Sequence, residues 1–330
     1  MSDFSLTEIN ERISRESTFV DDVKKALKEV IVGQEELVNR ILIGMLANGH
    51  ILLEGVPGLA KTLVVKSLSQ LIDTKFQRIQ FTPDMLPADL IGTLIYNQNT
   101  GKFDTRKGPI FANVILADEI NRAPSKVQSA LLEAMQERQT TIGKETYLMD
   151  VPFLVLATQN PIEQEGTYPL PEAQLDRFMF IINVAYPSKE EEIKIALSTT
   201  SGQLPELKSI LNAEQVLKFQ GLVPRVPVSE HVARYAVELV QSTRPQLNGN
   251  APDFVKEWID WGAGPRASQY LILGAKAKAL MDNRVATTIE DVKAVTRQVL
   301  EHRIILNFKA EAENIKVIDI IGKLLTTVKT

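Results

Sequence analysis

One run of twelve residues constrains this chain more than any other: Ile51-Leu52-Leu53-Glu54-Gly55-Val56-Pro57-Gly58-Leu59-Ala60-Lys61-Thr62. Three apolar residues and an acid come first, two glycines and a proline follow, and the end leads into an amphipathic pattern through Ile72. The order reads as strand, glycine loop, helix. Such a turn aims backbone N–H groups and the positive end of a helix at one point, which suits an anion. Lys61 adds an ammonium for β and γ phosphates, and Thr62 adds a hydroxyl for Mg²⁺. Gly55 through Thr62 is therefore the expected phosphate-binding segment. The general pattern has Gly directly before the Lys, whereas Ala60 stands here, so that position carries a Cβ and takes an ordinary helical φ. The alternative is a glycine-rich turn followed by a surface lysine, and the strand and helix on either side weigh against it.

The same alternation continues to about residue 185. Strands are expected at Ile51 to Glu54, Phe76 to Phe81, Asn113 to Ala117, Phe153 to Thr158 and Phe178 to Val184, most of them apolar on successive residues. Strands of that kind are buried on both faces, as in a parallel sheet between helices. Lys61 to Ile72 and Lys126 to Glu137 read as two of those helices. Two hairpins interrupt the series. One joins Thr93–Tyr96 to Lys102–Thr105, and the other joins Gln139–Ile142 to Glu145–Leu148 around Gly143-Lys144, where Gly suits a type II′ turn.

Beyond Pro187 nearly every segment reads as helix. Ser188 with Glu191 and Thr288 with Asp291 form capping boxes. His231 to Gln241, Asp253 to Trp261, Arg266 to Asp282 and Val292 to Arg303 carry apolar residues three and four apart. Trp258 and Trp261 fall on one face of such a helix and are expected in the core. The fold class is α/β with a five-stranded parallel sheet, followed by a small all-α domain. The expected division is 1–187 and 188–330, at Tyr186-Pro187-Ser188.

Composition excludes several functions. Thirty-seven Lys plus Arg against 41 Asp plus Glu give a net charge of −4, without the electrostatic footprint of a general nucleic-acid binder. No cysteine is present, so thiolate metal sites and cysteine nucleophiles are ruled out. The three histidines, His50, His231 and His302, lack any zinc-ligand spacing. Neither a signal peptide nor an 18-residue apolar span is visible, and a cytoplasmic protein is expected.

The remaining candidates stand at strand and helix ends. The apolar run from Asn113 closes on Asp118-Glu119, where one carboxylate suits the Mg²⁺ shell and its neighbour suits a general base. Asp118 is assigned to the metal and Glu119 to the base, although an Asp-Glu pair alone also suits the start of a helix. Asn160, just after the strand Phe153 to Thr158, stands where open α/β sheets bind ligands. Arg177 precedes the last strand. Arg266 follows Pro265 at a helix start, where the dipole disfavours a cation unless something negative compensates.

Together these features resemble the AAA+ ATPases, and their wording resembles the MoxR branch. The resemblance is carried by Gly49 to Thr62 with Ala60 before Lys61, Gln80 to Pro87, Gly108 to Ala112, Ala117 to Ala123, Glu133 to Glu137, Ala157 to Pro161 and Leu170 to Phe178. It implies Walker A at Gly55 to Thr62, Walker B at Asp118 and Glu119, sensor 1 at Asn160, an arginine finger at Arg177 and sensor 2 at Arg266. Ile31, Val32 and Gly33 resemble the segment that packs against adenine. The resemblance also implies ATP with Mg²⁺ and a homo-oligomeric, hexameric ring. Chaperone-like work on a protein client or on a von Willebrand factor A domain partner follows from it too. A nucleic-acid-dependent motor and an ATP-binding scaffold without turnover are the rival functions; the negative charge disfavours the first, and Glu119 with Arg177 disfavours the second.

Overall fold

The strands form where the apolar runs lie. In the computed structural model, which describes residues 18–56, 59, 61–161, 166–200, 207–246 and 251–329, five of them build one sheet. They are β1 (Ile51–Glu54), β2 (Phe76–Gln80), β5 (Val114–Asp118), β8 (Leu154–Gln159) and β9 (Phe180–Asn183), in the order β2-β5-β8-β1-β9. The pairs β2–β5, β5–β8 and β8–β1 are parallel. The central strands β5 and β8 are buried on both faces except at their last residue. At one edge, β2 reads Phe-Gln-Arg-Ile-Gln and buries only Ile79 fully.

Register decides what this sheet presents at its end. Gln80 lies opposite Asp118, Ala117 opposite Ala157, Leu53 opposite Thr158, and Glu54 opposite Gln159. Four strands therefore end together on polar residues, at the carboxyl edge where open α/β sheets bind ligands.

The helix Lys61–Leu71 buries Val64, Val65, Leu68 and Leu71, and Ser125–Glu137 buries Val127, Leu131, Leu132 and Met135. Each fully buried Leu or Val contributes about 1.5–3 kcal/mol over an exposed one. His50, which immediately precedes β1, ties these layers together. Its Nδ1 accepts from the Val155 N–H at 3.0 Å, so its Nε2 carries the hydrogen donated to the Met135 carbonyl at 3.2 Å. Full burial pushes its pKa from 6.5 to about 3, with the Arg138 charge acting in the same direction.

The two hairpins are β3 (Gly92–Asn97) with β4 (Lys102–Lys107), and β6 (Gln139–Ile142) with β7 (Glu145–Leu148). Gly143 has φ 66° and Lys144 has no positive φ, as a type II′ turn requires. Tyr147 Oη donates to Thr105 Oγ1 at 2.9 Å, and the Lys107 ammonium sits 4.9 Å from the Tyr147 ring centre. The hairpins thus brace each other.

Contacts group the chain into an αβ unit, Asp21–Phe178 with Ile182–Lys218, and a largely helical unit, Phe219–Thr330 with Met179–Ile181 and the first described residues. Ser188 and Glu191 form the expected box in the first unit, the Ser188 N–H donating to Glu191 Oε2 at 2.8 Å. Thr288 and Asp291 form the other in the second unit. That second unit holds helices at Glu230–Gln241, Pro265–Met281 and Ile289–Leu300.

One expectation fails there. The helix from Asp253 stops at Trp258, and β10 (Ile259–Trp261) pairs antiparallel with β11 (Ile305–Leu306). The Asn307 N–H donates to the Trp258 carbonyl at 3.0 Å, so a partner distant in sequence takes the chain out of the helix. Trp258 and Trp261 consequently share no helix face, and Trp261 is 62% exposed rather than in the core. No helix among the described residues is long and apolar enough to cross a membrane.

Candidate active site

The carboxyl ends of β1, β5 and β8 and the start of the helix Lys61–Leu71 surround a cavity of about 400 Å³. Gly55, Lys61 and Thr62 line one part of it, and Asp118, Glu119 and Asn160 another. The sequence candidates for the phosphates, the metal and the attacking water therefore face a single space. Pro57, Gly58 and Ala60 lie outside the described residues.

The Lys61 ammonium donates to the Gly55 carbonyl at 2.6 Å. Partial burial lowers its pKa, while the charges of Asp118, Glu119 and Glu54 oppose that shift. A lysine held this way loses solvation without losing its partners, and stays directed at the loop.

Asp118 ends β5, and Glu119 turns away at φ 56°, ψ 50°. A left-handed backbone at a non-glycine residue costs about 1 kcal/mol or more. Thr158 offsets it from β8: its Oγ1 accepts from the Glu119 N–H at 2.8 Å and donates to Asp118 Oδ1 at 2.6 Å. The two acids are thus separated by a clamped turn.

Edge strand β2 completes the site with residues that sequence reasoning passed over. Arg78 donates through Nε and Nη2 to Asp118 Oδ2, at 3.0 and 2.6 Å. Gln80 Nε2 donates to Glu119 Oε2 at 2.7 Å, and Arg122 lies 3.3 Å from the same oxygen. Gln159 at the end of β8 donates to Glu54 at the end of β1. The stretch Arg78-Ile79-Gln80 in β2, polar on either side of one buried residue, was the available local signal, since strand alternation places 78 and 80 on one face.

Among the other candidates, Asn160 follows β8 and is 7% exposed. Arg177 is half-buried after the short helix Glu172–Leu175, and is not among the described residues lining the cavity. Arg266 is the second residue of the helix Pro265–Met281, in the helical unit, with Pro265 at the first position. Ile31 and Gly33 line a separate cavity of about 220 Å³, with Leu27 and Val38 as its apolar walls. Gly33 has φ 69°, a left-handed backbone that favours glycine, and a Cβ there would push the Glu191 carboxylate aside.

The donor set fits a small hard cation beside a phosphate chain. Thr62 offers a hydroxyl and Asp118 a carboxylate, both oxygen ligands of the kind Mg²⁺ takes, and Lys61 lines the same cavity.

Comparison with known proteins agrees with this geometry. Residues 50–180 match the model of the ATPase family associated with various cellular activities (AAA), and residues 254–324 match the AAA lid domain. Chaperone MoxR1 of Mycobacterium tuberculosis is 49% identical over 302 residues, covering 92% of this chain and 80% of that protein. The chain belongs to the MoxR-type AAA+ ATPases. Protein MoxR of Paracoccus denitrificans is 31% identical over 308 residues, covering 87% of this chain and 88% of its own. A crystal structure from Cytophaga hutchinsonii superposes on the MoxR-type chain with TM-score 0.91 at 49% identity, over 98% of both chains. The sheet and helices described above are thus the AAA+ core with its lid domain, and the enzyme is an ATPase.

Proposed function

We propose that this MoxR-type ATPase hydrolyses ATP with Mg²⁺ in a homo-oligomeric ring, six-membered by family expectation, and uses the turnover to remodel protein partners in the cytoplasm. The observation that carries the reading is the convergence of Lys61, Thr62, Asp118, Glu119 and Asn160 on one cavity at the sheet's carboxyl edge. Phosphate oxygens lie against the backbone of Gly55 to Thr62, with Lys61 offsetting their charge. Thr62 and Asp118 would hold Mg²⁺, which would supply positive charge against the phosphate chain. Glu119 accepts the proton of the attacking water, and Asn160 orients that water.

Ile31, Val32 and Gly33 pack against the base. Arg177 reaches the γ-phosphate of a neighbouring subunit as an arginine finger, and Arg266 reports nucleotide to the helical half as sensor 2. Functionally the chain divides into a nucleotide-binding domain, 1–187, and a lid, 188–330. A protein client or a von Willebrand factor A domain partner is the expected object of the work, and the name Chaperone MoxR1 of the Mycobacterium tuberculosis relative supports a protein partner. Nucleic acid is not expected as a partner, given the net charge of −4.

Phosphate release measured with ATP and Mg²⁺, and again with EDTA, alongside sedimentation velocity, tests the proposal. Metal-dependent release with an ATP-promoted shift to a ring-sized species supports it. A monomer that turns over at full rate would remove Arg177 from the mechanism, and stimulation by DNA or RNA would favour the motor.

A further inference from the structure

Arg78 holds the carboxylate assigned to the metal through two hydrogen bonds. Its Nε and Nη2 both donate to Asp118 Oδ2, at 3.0 and 2.6 Å, while Thr158 occupies Oδ1 at 2.6 Å. Nη2 also donates to Gln80 Oε1 at 2.9 Å, which fixes the plane of the guanidinium. The Asp118 side chain is 16% exposed and that of Arg78 is 50% exposed, so the pair sits at the rim of the cavity and is only partly screened. Both carboxylate oxygens therefore have partners already. A divalent cation drawing on that carboxylate meets a positive charge placed there by the fold.

We propose that Arg78 is the resident counter-ion of Asp118, competing with Mg²⁺ for its carboxylate and so setting the metal concentration at which the site fills. The inference rests on the assignment of Asp118 to Mg²⁺.

Charge balance gives it a distinctive signature. Glu54, Asp118 and Glu119 supply three negative charges, and Lys61, Arg78 and Arg122 supply three positive ones through the contacts given above. Removing the charge of Arg78 leaves one net negative. Mg²⁺ is then attracted more strongly, and metal-free nucleotide is repelled more strongly. The two effects have opposite signs, which a general loss of structure does not produce.

The test titrates a fluorescent ATP analogue into the full-length wild type and Arg78→Met, across a series of Mg²⁺ concentrations and in EDTA. Arg78→Met should reach half-maximal binding at roughly two- to fivefold lower Mg²⁺, the worth of a half-exposed charge pair, and should bind more weakly in EDTA. In an Asp118→Asn background the Arg78→Met shift should shrink, because only the general charge effect is left. If Arg78→Met does not fold, Arg78→Lys keeps the charge but loses the two-nitrogen contact, and a smaller shift in the same direction is expected. An unchanged or raised Mg²⁺ requirement in the variant that folds overturns the proposal. So does a parallel loss of affinity with and without metal. Wild-type binding that ignores Mg²⁺ altogether would remove the Asp118 assignment itself, and the counter-ion role with it.

Discussion

Glu119→Gln should separate nucleotide binding from chemistry. The carboxylate accepts from Gln80 at 2.7 Å and lies 3.3 Å from Arg122, and its side chain is 25% exposed. Gln has the same shape and can keep one hydrogen bond, so losing the Arg122 pair costs about 1 kcal/mol at most. Lys61 and Thr62 still face the cavity, and ATP affinity should stay within about threefold of wild type, a change under 1 kcal/mol. What disappears is the proton acceptor. A positioned general base is worth roughly 10² to 10⁴ in rate, or about 2.7–5.5 kcal/mol of barrier. Lys61→Ala should show the reverse profile in binding. Its ammonium is held at 2.6 Å from Gly55 O, and a charge-assisted contact to phosphate contributes about 1.5–3 kcal/mol, so the dissociation constant should rise roughly 10- to 150-fold. A fluorescent ATP analogue reads the affinity and a coupled phosphate assay reads the turnover. Equal losses of affinity in the two variants would refute the separate roles.

Two further outcomes test the scaffold beneath the site. His50 has a native pKa of about 3 against about 6.5 when unfolded, so as pH falls the unfolded chain takes the proton first. Wild-type stability should therefore drop by about 1.4 kcal/mol per pH unit more steeply than that of His50→Gln between roughly pH 6 and 4, and parallel urea midpoints over that range would contradict this. In the helical unit, Arg284 Nη1 donates to buried Asp291 at 2.7 Å, and Asp291 also caps the helix start at Thr288. Arg284→Met should lower stability by about 1–2 kcal/mol in urea unfolding, because Asp291 keeps its Thr288 bonds while losing its counter-charge, and an unchanged midpoint would show that the pair contributes nothing.

Local signals carried most of the architecture into the sequence. The apolar runs ending at Glu54, Asp118 and Gln159 became the parallel strands β1, β5 and β8, because residues buried on both faces leave little else for them to be. Gly143 marked its hairpin, and the Thr288–Asp291 box marked its helix, through chemistry confined to four residues. The illegible parts are those fixed at a distance. Trp261 belongs to a strand only because Ile305 lies beside it, and a 3.6-residue period cannot announce that. Arg78, Gln80 and Thr158 enter the site through the register of β2 and β8 against β5, which no single segment encodes. The left-handed turn at Glu119 was equally hidden, since it depends on Thr158 from another strand.

In the proposed mechanism each ATP is hydrolysed between two subunits, with the phosphate loop from one and Arg177 from the next. Lys61→Ala and Arg177→Ala, each assayed alone, should release phosphate slowly, the second because an arginine supplied in trans is worth on the order of 10³ to 10⁵ in rate. Mixed and allowed to exchange subunits, they form some interfaces with an intact loop from an Arg177→Ala subunit and an intact Arg177 from a Lys61→Ala neighbour. Phosphate release should then recover above either parent and rise with total protein concentration. Mixed rings seen by analytical ultracentrifugation, with release still at the level of the separate variants, would contradict the claim.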